Sequence, residues 1–184
     1  MQAPTRFETS RLLLSRPRAA DARAIFERYA SDAEVTRFLS WPRHRSVADT
    51  EGFVAFSDRE WQRWPAGPYL VWSRDGQQLL GGTGLAFDTA QHATTGYVLA
   101  RDAWGHGFAT EALRAMVGLA ARTGVVRLQA CVHPEHRPSM RVLEKCGFGR
   151  DHEWCRRAEF PNLAPGVQQE ALCYSIAPGA GASP

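Results

Sequence analysis

Two stretches of the chain concentrate residues that could do chemistry. The first, Tyr97–Leu113, reads YVLARDAWGHGFATEAL: an apolar strand-like run, a loop holding Gly105 and Gly107, and the start of a helix. Glycine lets a backbone turn tightly and lets a ligand approach without a Cβ in the way. The unpaired N–H groups and dipole of a helix start favour an anion, and phosphate is the natural guest. A Walker loop would need GxxxxGKS/T, and the segment has no lysine. A dinucleotide fingerprint would need a third glycine where Thr110 stands, and a parallel βαβ unit. Alone, the pattern is equally a plain glycine turn into a helix. The second stretch, His133–Gly149, reads HPEHRPSMRVLEKCGFG and sets Ser139 three residues after His136. Carboxylates stand at Glu111 behind the glycine loop, at Glu159 in CRRAEFPN and at Glu170 before the last apolar run. The six histidines show no HxxxH or HExxH spacing and the four cysteines form no CxxC pair, so no metal site is expected.

Elements must position these residues. An opening strand is expected over residues 11–16. A helix follows after Asp21, with Ala22, Ile25, Phe26 and Tyr29 at helical spacing, and a short second helix over 32–38 ends before Trp41-Pro42. Ser46, with Asp49 three residues on, reads as the N-cap of a longer helix reaching about Trp64. Strands over 69–73 and 79–87 flank the Asp75-Gly76 hairpin turn, and a third over 94–100 completes an antiparallel meander. The pattern then switches to a helix over 108–123 stopped by Gly124, a buried strand over 127–132, and a helix from Pro138 to Cys146 closed by Gly147. Strands over 149–159 and 169–176 end the domain. The order predicts a mixed α/β fold around one largely antiparallel sheet.

Composition bounds the rest. The chain has 184 residues, 44% hydrophobic and 22% charged, which fits one domain with its own core. Residues 1–8 and 178–184 read as tails, the last with a disordered composition. There is neither a basic-then-apolar leader nor a membrane-length apolar run, so a cytoplasmic protein is expected. The cysteines, Cys131, Cys146, Cys155 and Cys173, read as reduced and mostly buried. The net charge of +3 is too small, and its arginines too scattered, to predict a nucleic-acid partner.

Taken together, the two motif segments resemble the GNAT superfamily of acyl-CoA-dependent N-acyltransferases. The family's phosphate loop reads Q/R-x-x-G-x-G/A, and Trp104-Gly105-His106-Gly107-Phe108-Ala109 occupies it with Trp104 in place of the usual Gln or Arg. That replacement, the downstream TEAL, SRLLLSRPRAADA near the start and FLSWPRH at Phe38–His44 resemble the branch that acetylates ribosomal-protein N-termini. The resemblance spans residues 9–177 as one domain and implies a seven-stranded, largely antiparallel sheet flanked by helices, with its central strands splayed. It implies that the backbones of Tyr97, Val98 and Leu99 hold the pantetheine arm of acetyl-CoA. It implies also that the residues from Trp104 through Gly105, His106, Gly107, Phe108 and Ala109 to Thr110 surround the pyrophosphate. His136 stands where the family commonly has a pantetheine-binding asparagine, and Leu143 where many members have an acid tyrosine. Ser139 is therefore the candidate donor to the departing thiolate, and Glu159 the first choice of base. Trp41, Tyr69 and Phe160 are candidates to line the acceptor slot, while Trp72 reads as core. The implied reaction is direct transfer of acetyl from acetyl-CoA, a co-substrate, to a primary amine, with a protein N-terminal α-amine the best fit. A small amine (amino acid, polyamine or aminoglycoside) or a non-catalytic acyl-CoA-binding module are the alternatives, and a nucleotide-binding protein a third. The expected partners are the amine acceptor and, in a homodimer, a second copy of the chain; neither nucleic acid nor a membrane is expected.

Overall fold

A run such as Leu12–Leu14, buried at every position, belongs to a strand covered on both faces. The computed structural model, which describes residues 1–153 and 157–179, has that arrangement. In chain order the elements are β1 (Arg6–Glu8), β2 (Leu12–Ser15), α1 (Ala22–Ile25), α2 (Ala33–Thr36), α3 (Val47–Arg63), β3 (Pro68–Ser73), β4 (Leu79–Phe87), β5 (His92–Leu99), α4 (Phe108–Arg122), β6 (Arg127–Val132), α5 (Arg137–Lys145), β7 (Gly149–Arg150), β8 (Arg157–Glu159), β9 (Gln168–Glu170) and β10 (Leu172–Ile176). Eight strands form one sheet in the order β1-β2-β3-β4-β5-β6-β10-β7, and β8 pairs with β9 apart from it. Every neighbour pair in the large sheet is antiparallel except β5–β6. Among the described residues no helix is long and apolar enough to cross a membrane.

Strand alternation sends side chains to two cores. Tyr69 and Val71 of β3 join Leu113, Met116 and Leu119 of α4 on one face. Leu70, between them, joins Ile25, Tyr29 and Val54 from the helical layer on the other. Local signals start the helices where the sequence predicts. Asp49 Oδ2 accepts from Ser46 N at 3.0 Å while Ser46 Oγ accepts from Asp49 N at 3.4 Å, a capping box at the start of α3. Gly107, at φ 79°, is the N-cap of α4.

The feature that matters most for function is a defect in the sheet. β5 pairs with β6 only at His92↔Arg127, Ala93↔Leu128 and Thr94↔Gln129. Beyond Thr94 the two strands part, leaving Thr95–Leu99 paired to β4 alone. This is the splay that the family resemblance implies.

Three details differ from the sequence reading. Residues 1–8, read as a tail, hold strand β1 and a buried Ala3, and Pro4 O accepts from Tyr69 Oη at 2.6 Å; the large sheet therefore has eight strands rather than seven. The expected strand over 149–159 is two elements, β7 on β10 and β8 on β9, and its residues 154–156 lie outside those described. The expected strand over 169–176 breaks at Ala171, where the chain leaves β8 and enters the large sheet beside β6. Cys131 is exposed, Cys146 half-buried and Cys173 buried, with Cys131 Sγ 3.3 Å from Cys173 Sγ across β6–β10. Cys155 and residues 180–184 of the expected tail are outside the described residues.

Candidate active site

Parting of β5 from β6 opens a cavity of about 630 Å³. Tyr97, Ser139 and Leu143 line one part of it, Phe38, Trp41 and Phe53 another, and His136 lines it too.

In an extended strand, the N–H and C=O of one residue point to the same edge and those of the next residue to the other. Gly96 O accepts from Thr83 Oγ1 of β4 at 2.8 Å, and Ala100 N donates to Leu80 O of β4 at 2.8 Å. Even-numbered residues of β5 thus address β4, and Thr95, Tyr97 and Leu99 address the gap. Of the three backbones expected to face the gap, Val98 does not: it turns its peptide groups to β4 and its side chain to the cavity. Its carbonyl lies so close to β4 that a Cβ on Gly81 would stand 2.0 Å from it, so only glycine fits at 81. The carbonyl of Leu99 is already taken by the indole Nε1 of Trp104 at 2.8 Å. That leaves the peptide groups of Tyr97 and the N–H of Leu99 as groups facing the gap.

The side chain of Tyr97 does something the sequence did not indicate. Its hydroxyl lies 2.8 Å from Ser139 Oγ and 2.9 Å from Ser139 O, joining β5 to the first turn of α5. Burial holds this phenol well above its ordinary range, against the opposing pull of the Ser139 hydrogen bond, so it stays protonated. Leu143, buried at the position where many relatives carry tyrosine, lines the same cavity. A tyrosine hydroxyl is therefore present beside Ser139, but it arrives from the sheet rather than from the helix. Pairing of positions 42 apart leaves no periodic signal in a sequence.

The glycine loop is tied down from the opposite end of the chain. Glu111 Oε1 accepts from Thr9 Oγ1, Ser10 Oγ and Arg11 N at 2.6, 3.0 and 2.8 Å, and Glu111 Oε2 accepts from Arg11 Nε at 2.7 Å. Burial works to raise the Glu111 carboxyl, but these bonds outweigh it and hold it below its usual value. Glu111 is thereby a clasp. Arg11 also donates to His106 O at 2.9 Å and lies over the Phe108 ring at 4.9 Å. It places a cation beside the loop, a residue that the motifs did not single out. Gly105 and Gly107 both have φ 79°, Gly107 has no side-chain cap, and Thr110 borders a shallow hollow with Arg11 and Arg114. Trp104 is 46% exposed and Ala109 packs against the core under the loop. The chain runs from the β5 edge through the glycine loop straight into the α4 start, an order that suits a ligand with an amide-bearing arm and a phosphate end.

Other candidates divide. Trp41 lines the cavity, its ring 5.2 Å from His44. Phe160 is 2% exposed and meets the His133 ring edge-on at 4.9 Å, closing one wall. Tyr69 borders the cavity but is 1% exposed, packed edge-on against Phe7 and Trp61, and its hydroxyl is committed to Pro4. Trp72 donates to Ser15 Oγ at 3.1 Å in the second core. Glu159 is not brought to the cavity: alternation along β8 sends Ala158 to the wall, and Glu159 Oε1 accepts from Gly166 N at 2.9 Å. Glu170 stands on β9 opposite Arg157.

The profile of the Acetyltransferase (GNAT) domain matches residues 11–149. An uncharacterized N-acetyltransferase of Bacillus subtilis strain 168, YoaA, is 30% identical over 152 residues, 78% of this chain and 82% of that protein. Among solved structures, RimL, a ribosomal L7/L12 alpha-N-protein acetyltransferase in complex with coenzyme A, superposes with a TM-score of 0.80 at 19% identity, covering 96% of this chain and 98% of that one. The spermidine N-acetyltransferase of Vibrio cholerae, in complex with CoA and spermine, superposes with a TM-score of 0.74 at 16% identity, covering 92% and 96%. The splayed sheet, the glycine loop at the start of α4 and these matches together make the chain a member of the GNAT acetyltransferase family, and so an acyltransferase.

Proposed function

We propose that the protein is an acetyl-CoA-dependent N-acetyltransferase that moves an acetyl group directly to a primary amine, with a protein N-terminal α-amine as the acceptor. The observation that carries the reading is the unpaired edge of β5. It runs from the glycine loop into a cavity that holds the Ser139–Tyr97 hydroxyl pair. The amides of Gly105–Thr110 and the Arg11 cation would hold the pyrophosphate, and the peptide groups of Tyr97 and Leu99 the pantetheine arm. An N–H on this edge would stabilise negative charge developing on the thioester oxygen. Ser139 Oγ would give a proton to the departing thiolate and take one from the attacking amine, with the Tyr97 hydroxyl holding it in place. Residues 9–177 act in this reading as one domain, in the cytoplasm.

The acceptor wall supports an α-amine over a polyamine. It is built of Phe38, Trp41, Phe53 and Phe56, and Asp49 is the one carboxylate lining the cavity among the described residues. Asp49 already accepts from the N–H groups of Arg45 and Ser46, which hold its carboxyl below the usual value. A polycation would meet little opposing charge, whereas a chain end needs one amine site and an apolar slot. The test follows free thiol release from acetyl-CoA with peptides bearing apolar or aromatic first residues, and with spermidine and an aminoglycoside. Peptide turnover well above the polyamine is expected. Turnover confined to spermidine would refute the acceptor, and binding of acetyl-CoA without turnover on any amine would refute the enzyme reading.

A further inference from the structure

An N-acetyltransferase must deal with a proton. An α-amine, with an ordinary pKa of about 7.7–8.0, is mostly protonated at pH 7 and cannot attack until one proton leaves. The sequence pointed to Glu159 for this step, and the fold turns Glu159 away to Gly166. Asp49, at the cavity, is held as a weak base by two backbone donors. His44 is bonded through Nδ1 to the buried Thr50 Oγ1 at 2.8 Å. That bond ties one ring nitrogen of His44 to a buried hydroxyl in either tautomer.

The other imidazole lining the cavity has no such tie. We propose that His136 is the catalytic base, its ring taking the proton that the acceptor amine must lose; the inference rests on the N-acetyltransferase reading above. His136 is half-buried at the start of α5, one turn before Ser139, whose N–H bonds to His136 O at 3.0 Å. Its ring stacks on that of Phe38 at 4.9 Å, with the planes 25° apart, and lines the cavity together with the acceptor wall and the hydroxyl pair. Its ring nitrogens have no hydrogen-bond partner among the described residues, unlike those of His44. Burial lowers its pKa, and the neighbouring His133 lowers it further, so the ring is neutral at pH 7 and has a free lone pair. The titratable groups lining the cavity with it are Tyr29, Tyr69, Tyr97, Cys131, His44 and Asp49, while His133 and Arg37 flank the same Phe38 ring.

The step balances. Of the three ammonium protons, one passes to His136 and on to solvent. A second replaces, through Ser139, the C–S bond at sulfur as the N–C bond forms. The third stays on the amide. The products are the N-acetylated amine, free CoA thiol and one released proton.

Histidine stands where the family commonly has asparagine, so His136→Asn keeps an amide that can bond the pantetheine but removes the base. In the wild type, thermal shift by acetyl-CoA and thiol release with a peptide amine check the underlying reading independently. For the variant, acetyl-CoA affinity within about threefold of wild type and a fall in kcat of about 100-fold are expected. The acidic limb of kcat/KM below the ordinary imidazole value of about 6.5 should vanish, while the amine's own limb near 8 remains. With a weakly basic amine, already neutral at pH 7, the loss should shrink to less than about tenfold. A variant that keeps both kcat and the acidic limb overturns the base while leaving the enzyme reading intact. So does one whose activity falls only in step with acetyl-CoA affinity, since His136 would then be a cofactor contact.

Discussion

Ser139 and Tyr97 gain meaning as a pair. A lone serine hydroxyl is free to rotate away from the departing sulfur; a buried phenol bonded to it fixes its direction. Tyr97→Phe keeps the ring and removes only the hydroxyl that bonds Ser139. It should lower kcat by about tenfold to 100-fold, with acetyl-CoA affinity unchanged by thermal shift. Gly107 belongs to the other end of the ligand path. At φ 79°, where a Cβ would also stand 3.5 Å from Arg11 Nη2, Gly107→Val strains the backbone and crowds the loop. It should abolish stabilisation by CoA, read as loss of the ligand-induced Tm shift, and retained affinity would refute the loop assignment. At this scale the sequence was a partial guide. The loop and Ser139 were visible because their types and spacing are local. Tyr97 drew notice for its backbone, and its hydroxyl partner depends on how β5 meets α5. Glu159 was misplaced for the converse reason: in a strand one residue decides which way a side chain faces.

The elements were more legible than the contacts between them. Ser46 and Asp49 form the box that their spacing predicts, since capping is a three-residue event. Ser46→Ala should cost about 1 kcal/mol, measured as a shift in the urea midpoint without a change in slope. Loop-end glycines at 124 and 147 adopt φ 86° and 84°, as helix stops require. What stayed hidden was the partition of strands among sheets. The break at Ala171 moves the chain from β9 to β10 without a proline or glycine to announce it. Strand β1 is only three residues long, too short to show alternation.

For the molecule as a whole, acid should act in two stages. His44 and His136 have pKa values lowered mainly by burial, so the unfolded chain binds protons that the folded one refuses. Their contribution is complete above the unfolded value of about 6.5 and lost as pH falls through the folded ones. Glu111, Asp32 and Asp49 are also lowered, and theirs is lost further down, below the ordinary carboxylate range. Tm should therefore fall between neutrality and about pH 5, and again below about pH 4, with His44→Gln flattening the first stage. The clasp at Glu111 also has a consequence in time. Arg11 and Glu111 are 100 positions apart, so on the ribosome the opening strand and its three leucines wait for their anchor. At about 5–20 residues per second, that wait lasts about 5–20 s. Through it the Leu12 and Leu14 face that packs with α4 stays uncovered, and during synthesis this stretch is the natural client of a chaperone.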